Sequence, residues 1–184
     1  DYIYLSGISI AILPEEGKAR LVSWLKEARS QGAKVCFDNN YRPKLWATRE
    51  ETQKWYTQVL QNTDIACHTY DDDQLIWGDT DPSQTFKRLQ DFGISEVVLK
   101  RGTEPCLIEV DGAERMSIPA IKVAKEDIAD TNAAGDSFSA GYLTARLGGQ
   151  APDIAAAIGH RVASTVVQHR GAIIPKDVMP NIEL

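Results

Sequence analysis

Short apolar runs of four to six residues alternate along the chain with longer segments whose apolar positions recur at helical spacing. This is the pattern of βαβ units on a parallel sheet, because crossover helices cover both faces of such strands and leave them no polar side. Residues 2–5, 34–37, 64–69 and 96–100 read as strands. A helix is predicted from Pro14 through residue 30, with Leu21, Leu25 and Ala28 on one stripe and Gly32 just past its end. Thr48 and Glu51 have the spacing of a capping box and open a second helix that runs to residue 61. Residues 71–77 and 83–92 follow as helices, and 134–147 and 152–168 close the chain, with Gly171 as a stop. Between them, 105–110 and 114–118 flank Asp111-Gly112, a pair suited to the positive φ angles of a tight hairpin turn.

The expected organisation is one α/β domain over residues 1–184, mostly parallel, with a hairpin inserted late. Polar loops at 38–43, 69–73 and 130–136 follow strands and should gather at the carboxyl edge of the sheet, where open α/β sheets bind ligands. Tyr2-Ile3-Tyr4-Leu5 forms a strand directly after Asp1, with no initiating Met, which leads us to expect that earlier strands are missing. Trp24, Trp55 and Tyr56 read as core packing rather than stacking platforms.

Composition narrows the partners. The chain is 43% hydrophobic and 25% charged over 184 residues, which is ordinary for a globular protein of one domain. A net charge of -6 without a basic run argues against nucleic acid and anionic membranes as partners. No apolar stretch approaches the roughly 18 residues of a membrane span. Cys36, Cys67 and Cys106 lie singly in apolar runs and read as buried thiols, the usage of a reducing cytoplasm. His68, His160 and His169 lack metal-ligand spacing.

Asp130-Thr131-Asn132-Ala133-Ala134-Gly135-Asp136-Ser137-Phe138 is the stretch that carries chemistry. The small residues Ala133, Ala134 and Gly135 leave backbone N–H groups bare at a helix start, where the helix dipole adds positive potential, so the segment suits an anion. A carboxylate at Asp136 would repel that anion unless it works on the attacking side of a phosphoryl transfer, drawing the proton from the incoming hydroxyl. The plain alternative is that Asp130 and Asp136 cap a turn and a helix. No Gly-x-Gly-x-x-Gly follows the first strand, which counts against a generic dinucleotide-binding domain.

The block resembles the second signature of the ribokinase family, the PfkB-type carbohydrate kinases, which ends in the catalytic base. The resemblance implies a ribokinase-like three-layer α/β/α fold without its amino-terminal strands and lid, ATP and Mg²⁺ as cofactors, and a small sugar as substrate. It places 133–136 at the transferred phosphate, with Asp136 as base, and Asp130 beside the sugar. Asp38-Asn39-Asn40-Tyr41-Arg42-Pro43-Lys44-Leu45-Trp46 resembles the Asp-x-Asn-x-Arg-x-x-x-Trp loop of the members that act on 2-keto-3-deoxygluconate. There Arg42 would clamp the sugar's carboxylate or ATP phosphates, with Asn40 and Tyr41 near the nucleotide. Lys100-Arg101-Gly102-Thr103 resembles the family's nucleotide loop, and Lys100, Gly102 and Thr103 are its expected ligands. At Tyr70-Asp71-Asp72-Asp73 the chain departs from the usual Asn-x-x-Glu motif, with Asp73 in the place of the Glu that holds hydrated magnesium. Residues 168–172 resemble a segment where a monovalent cation binds, and members are often homo-oligomers. Fructokinase- and ribokinase-type activity, or nucleotide binding without turnover, are the alternatives to a sugar-acid kinase.

Overall fold

A computed structural model describes residues 1–182. It divides into two compact units, the first made of residues 1–100 with 109–115, the second of 101–108 with residue 116 onward.

In the first unit the strands β1 (Tyr2–Ser6), β2 (Lys34–Asp38), β3 (Ile65–Thr69) and β4 (Glu96–Lys100) lie side by side in chain order. All pair in parallel, with Tyr2 opposite Lys34, Cys36 opposite Ile65 and Ile65 opposite Glu96. Helices supply the crossovers that parallel pairing requires: α1 (Gly7–Ala11), α2 (Glu15–Ser30), α3 (Arg49–Leu60), α4 (Tyr70–Trp77) and α5 (Pro82–Asp91). Val35, Phe37, Ala66, Cys67, Val98 and Leu99 from the strands, with Leu25, Tyr56, Val59 and Leu60 from the helices, form the buried core. The three thiols are free and buried, and burial pushes that of Cys106 up to about 12.

Several local signals act through different partners than the sequence spacing implies. Thr48 Oγ accepts the Glu51 N–H at 3.1 Å, but Glu51 reaches back to the Ala47 N–H, one residue beyond the Thr48 N–H of a reciprocal box. Lys18, buried beneath the rings of Trp46 and Trp55, holds the other Glu51 oxygen at 3.0 Å and draws the side chain that way. Asp64 is not a strand residue. Its carboxylate accepts the Val35 N–H at 2.9 Å and a forked pair of bonds from Arg29, fastening α2 to the mouth of β2 and β3. Trp55 and Tyr56 are core residues as expected, but Trp24 is 51% exposed, one step and so about 100° around the helix from the fully buried Leu25. Helix α1 follows β1 without a break, and its Ile8 and Ile10 alternate like strand residues, so periodicity does not reveal it.

Strands β5 (Cys106–Val110) and β6 (Met116–Ile118) pair antiparallel, Cys106 opposite Ile118, and the paired residues 106–108 and 116–118 belong to the second unit. The turn between them has positive φ at Asp111 and Gly112, as the dipeptide predicts. Helices α6 (Ala134–Leu147) and α7 (Pro152–Val166) cross closely at Gly141 and Gly159. A Cβ on Gly159 would stand 2.9 Å from the Phe138 carbonyl oxygen and 3.0 Å from its ring, so only glycine lets the helices meet there. Among the described residues no helix is long and apolar enough to cross a membrane.

Candidate active site

In the first unit the loop after β2 meets the start of α4. Parallel pairing of β2 with β3 stops near Asp38, and the fully buried side chain of Asn39 takes over. Its amide donates to the Thr69 carbonyl at 2.9 Å and its oxygen accepts the Thr69 N–H at 2.8 Å. The Tyr56 hydroxyl, itself buried, donates to the Asn39 main-chain carbonyl. Asn40 turns the chain with φ 29°, and the next N–H, that of Tyr41, is accepted by Asp72 at 2.9 Å. Arg42 then emerges exposed, one guanidinium N–H folded onto the Tyr41 carbonyl at 3.0 Å. Loops 38–43 and 69–73 therefore do come together.

Two expected ligands in this unit are already engaged. The Lys100 ammonium is buried and sits 2.6 Å from a carboxylate oxygen of Asp38, which is 1% exposed and also accepts from Tyr4 and the Asn40 N–H. A cation so enclosed neutralises a buried anion. Asp73, the expected magnesium residue, is fully buried. One of its oxygens lies 2.9 Å from His68 Nδ1 and the other 3.4 Å from Arg88, which also forks onto Asp79. On the helix, residues 72 and 73 point about 100° apart, so Asp72 faces the loop while Asp73 turns into the core. Burial raises the pKa of Asp72, and the Tyr41 N–H partly offsets this.

The second unit holds the signature block. Ala133 adopts the left-handed conformation, φ 60° and ψ 10°, and is the N-cap of α6. This turn swings the chain so that the first amides of α6 lead into the helix with no carbonyl one turn before them. The Ala134 N–H makes only a long 3.3 Å bond to Thr131, and the ladder begins with Ser137 N–H to the Ala133 carbonyl at 2.8 Å. Asp136 is exposed on that first turn, while Phe138 and Tyr142 of the same helix are buried. Asp130 acts on the backbone: it accepts the N–H groups of Asn132 at 2.9 Å and Gly171 at 3.1 Å, and these bonds hold its pKa below the usual carboxylate value. Residues 168–172 thus lie beside the block, with Gln168 and His169 bonded back to the last turn of α7.

Beside this turn lies a cavity of about 620 Å³, its walls mainly apolar. Gly102, Thr103, Val123, Ile128, Ala134 and Val167 contribute to its lining. Gly102 has φ 61°, with open space where a Cβ would stand, so backbone comes bare to the cavity mouth. Of the expected nucleotide ligands, Gly102, Thr103 and Ala134 line this cavity; its walls from 120–123, Ile128 and α7 were not anticipated, and the apolar run after the hairpin was the available signal. Asn39 and Tyr56 were missed as loop supports, since nothing in a linear pattern pairs them.

Residues 1–179 match the family model described as pfkB family carbohydrate kinase. The chain is 52% identical over 180 residues to a 2-dehydro-3-deoxygluconokinase of Dickeya dadantii, covering 98% of this chain and 58% of that protein. A 2-dehydro-3-deoxygluconokinase of Haemophilus influenzae is 39% identical over 186 residues, again 58% of its length. The chain therefore spans little more than half of these relatives. Among solved structures, a PfkB protein from Polaromonas sp. JS666 superimposes with a TM-score of 0.80 at 23% identity, over 91% of this chain and 53% of that one.

Proposed function

Since the chain belongs to the pfkB family of carbohydrate kinases, we propose that it carries the nucleotide-binding and catalytic part of a 2-keto-3-deoxygluconate (2-dehydro-3-deoxygluconate) kinase. The reaction moves the γ-phosphoryl group of ATP to the terminal hydroxyl of the sugar acid. The observation that carries this reading is the left-handed turn at Ala133, which opens α6 on small residues and sets the exposed Asp136 on its first turn. Relatives 52% and 39% identical, each named a 2-dehydro-3-deoxygluconokinase, support the choice of substrate.

In the proposed step the Asp136 carboxylate takes the proton as the sugar oxygen attacks the γ-phosphorus. The bond from that phosphorus to the β–γ bridging oxygen breaks, ADP departs, and Asp136 later releases its proton to water. The amides of Ala133, Ala134 and Gly135 face charge that builds on the phosphoryl oxygens, and Arg42 meets the substrate's carboxylate. The cavity lined by Gly102, Thr103 and Ala134 suits the flat, apolar faces of a nucleobase. A divalent cation such as Mg²⁺ would neutralise phosphate charge when bound. Among the described residues no cluster of acidic, His or Cys groups is built to hold one, and Asp73 is engaged inside the core, so no step is assigned to the metal.

A coupled ADP-release assay tests the reading. Asp136→Asn should lower kcat by about 10²–10⁴ while nucleotide affinity stays the same. Full turnover in that variant, or faster turnover of a neutral ketose than of the keto acid, would overturn it.

A further inference from the structure

We infer that Asn39 is a positioning residue for the substrate's carboxylate: by clamping the ends of β2 and β3 with its side chain, it fixes the conformation that presents Arg42. The inference rests on the proposed role of Arg42 and extends it to a residue with no contact to substrate.

The geometry is specific. Where parallel pairing ends, the main-chain groups beyond it need another partner. Here a side-chain amide replaces the missing main-chain partner and satisfies both the N–H and the carbonyl of Thr69. Because the side chain does the pairing, the backbone of the next residues is released from the sheet. It turns at Asn40 and delivers the Tyr41 N–H to Asp72 and Arg42 to the surface. The clamp is itself braced from beneath. Tyr56 donates its hydroxyl to the Asn39 carbonyl, and Gly7 must lack a Cβ, which would otherwise stand 1.8 Å from the Tyr56 hydroxyl oxygen and 2.1 Å from that same carbonyl. Three elements, α1, α3 and the end of β3, thus converge on one buried asparagine. Burial at 0% exposure leaves no water to replace a lost bond, so removing the amide frees the loop rather than hydrating it.

A positioning role and mere structural support differ in what they change. Asn39→Ala should raise KM for the keto acid about tenfold with nucleotide KM within about twofold, because the misplaced group serves one substrate only. Asn39→Asp, which keeps the acceptor for the Thr69 N–H but not the donor, should fall between. Thr85→Val is the comparison: it deletes a buried hydroxyl bond to Asp79 elsewhere in the same unit and should lower the melting temperature while leaving both KM values alone. Equal rises in both KM values in Asn39→Ala, or a changed melting temperature with neither KM moved, would overturn the inference. Arg42→Ala separates it from the reading beneath it. If Arg42→Ala raises keto-acid KM and Asn39→Ala does not, only the positioning role fails. If Arg42→Ala leaves keto-acid KM unchanged, the assignment of Arg42 fails, and the inference with it.

Discussion

Replacing Lys100 tests most directly how the polar interior of the first unit is organised. Its ammonium lies 2.6 Å from Asp38, with the two side chains 9% and 1% exposed. At an effective dielectric constant near 20, two unit charges at that separation attract by about 6 kcal/mol before the cost of taking both from water is subtracted. Removing one member of such a pair leaves the other charge buried without its counter-ion, at a typical cost of about 3–5 kcal/mol. Tyr4 and the Asn40 N–H still bond to Asp38, which points to the lower end of that range. Lys100→Met should therefore lower the melting temperature by roughly 10 °C in a chain of this size. Adding Asp38→Asn should restore much of the loss, because an amide left beside a methionine carries no charge to desolvate. Urea unfolding of the two single variants and the double variant closes the cycle, with nucleotide binding measured in parallel. A loss below about 1 kcal/mol, well under what a broken buried pair costs, accompanied by loss of nucleotide binding, would refute the structural role and return Lys100 to the ligand.

Two further outcomes are expected. Ala133→Gly should raise stability by about 0.5–1 kcal/mol in thermal or urea melts, because an alanine at φ 60° bears strain that glycine lacks, only part of which is offset by the freer unfolded chain; a lower stability would show that this turn is not strained. Asp72 has its pKa raised by burial, so protonation favours the folded state: stability from this group is full below the ordinary carboxylate value of about 3.9 and is lost as pH rises through the raised folded value. Asp72→Asn should flatten the stability profile across that window, and identical slopes for native protein and variant in melts from acid to neutral pH would contradict it.

Local pattern was sufficient for much of the architecture. Runs of apolar residues separated by helical stripes dictate a parallel α/β order, and Asp111-Gly112 dictates its turn, because each effect acts within a few residues of its cause. The start of α6 at Ala134 was legible for the same reason, since the small residues that open it act within one turn. What depended on register and long-range contact was not legible. Lys100 looked like a ligand until β4 brought it against Asp38, 62 residues away in the chain. Asp73 looked like a metal residue, and Trp24 like core, until the rotation of α4 and α2 about their axes turned one inward and the other out. Asn39 acquires its importance only because β2 and β3 stop pairing beside it, leaving main-chain groups that one buried amide completes. A sequence states which groups a residue can offer; which of them is already taken is settled by neighbours that only the folded chain brings near.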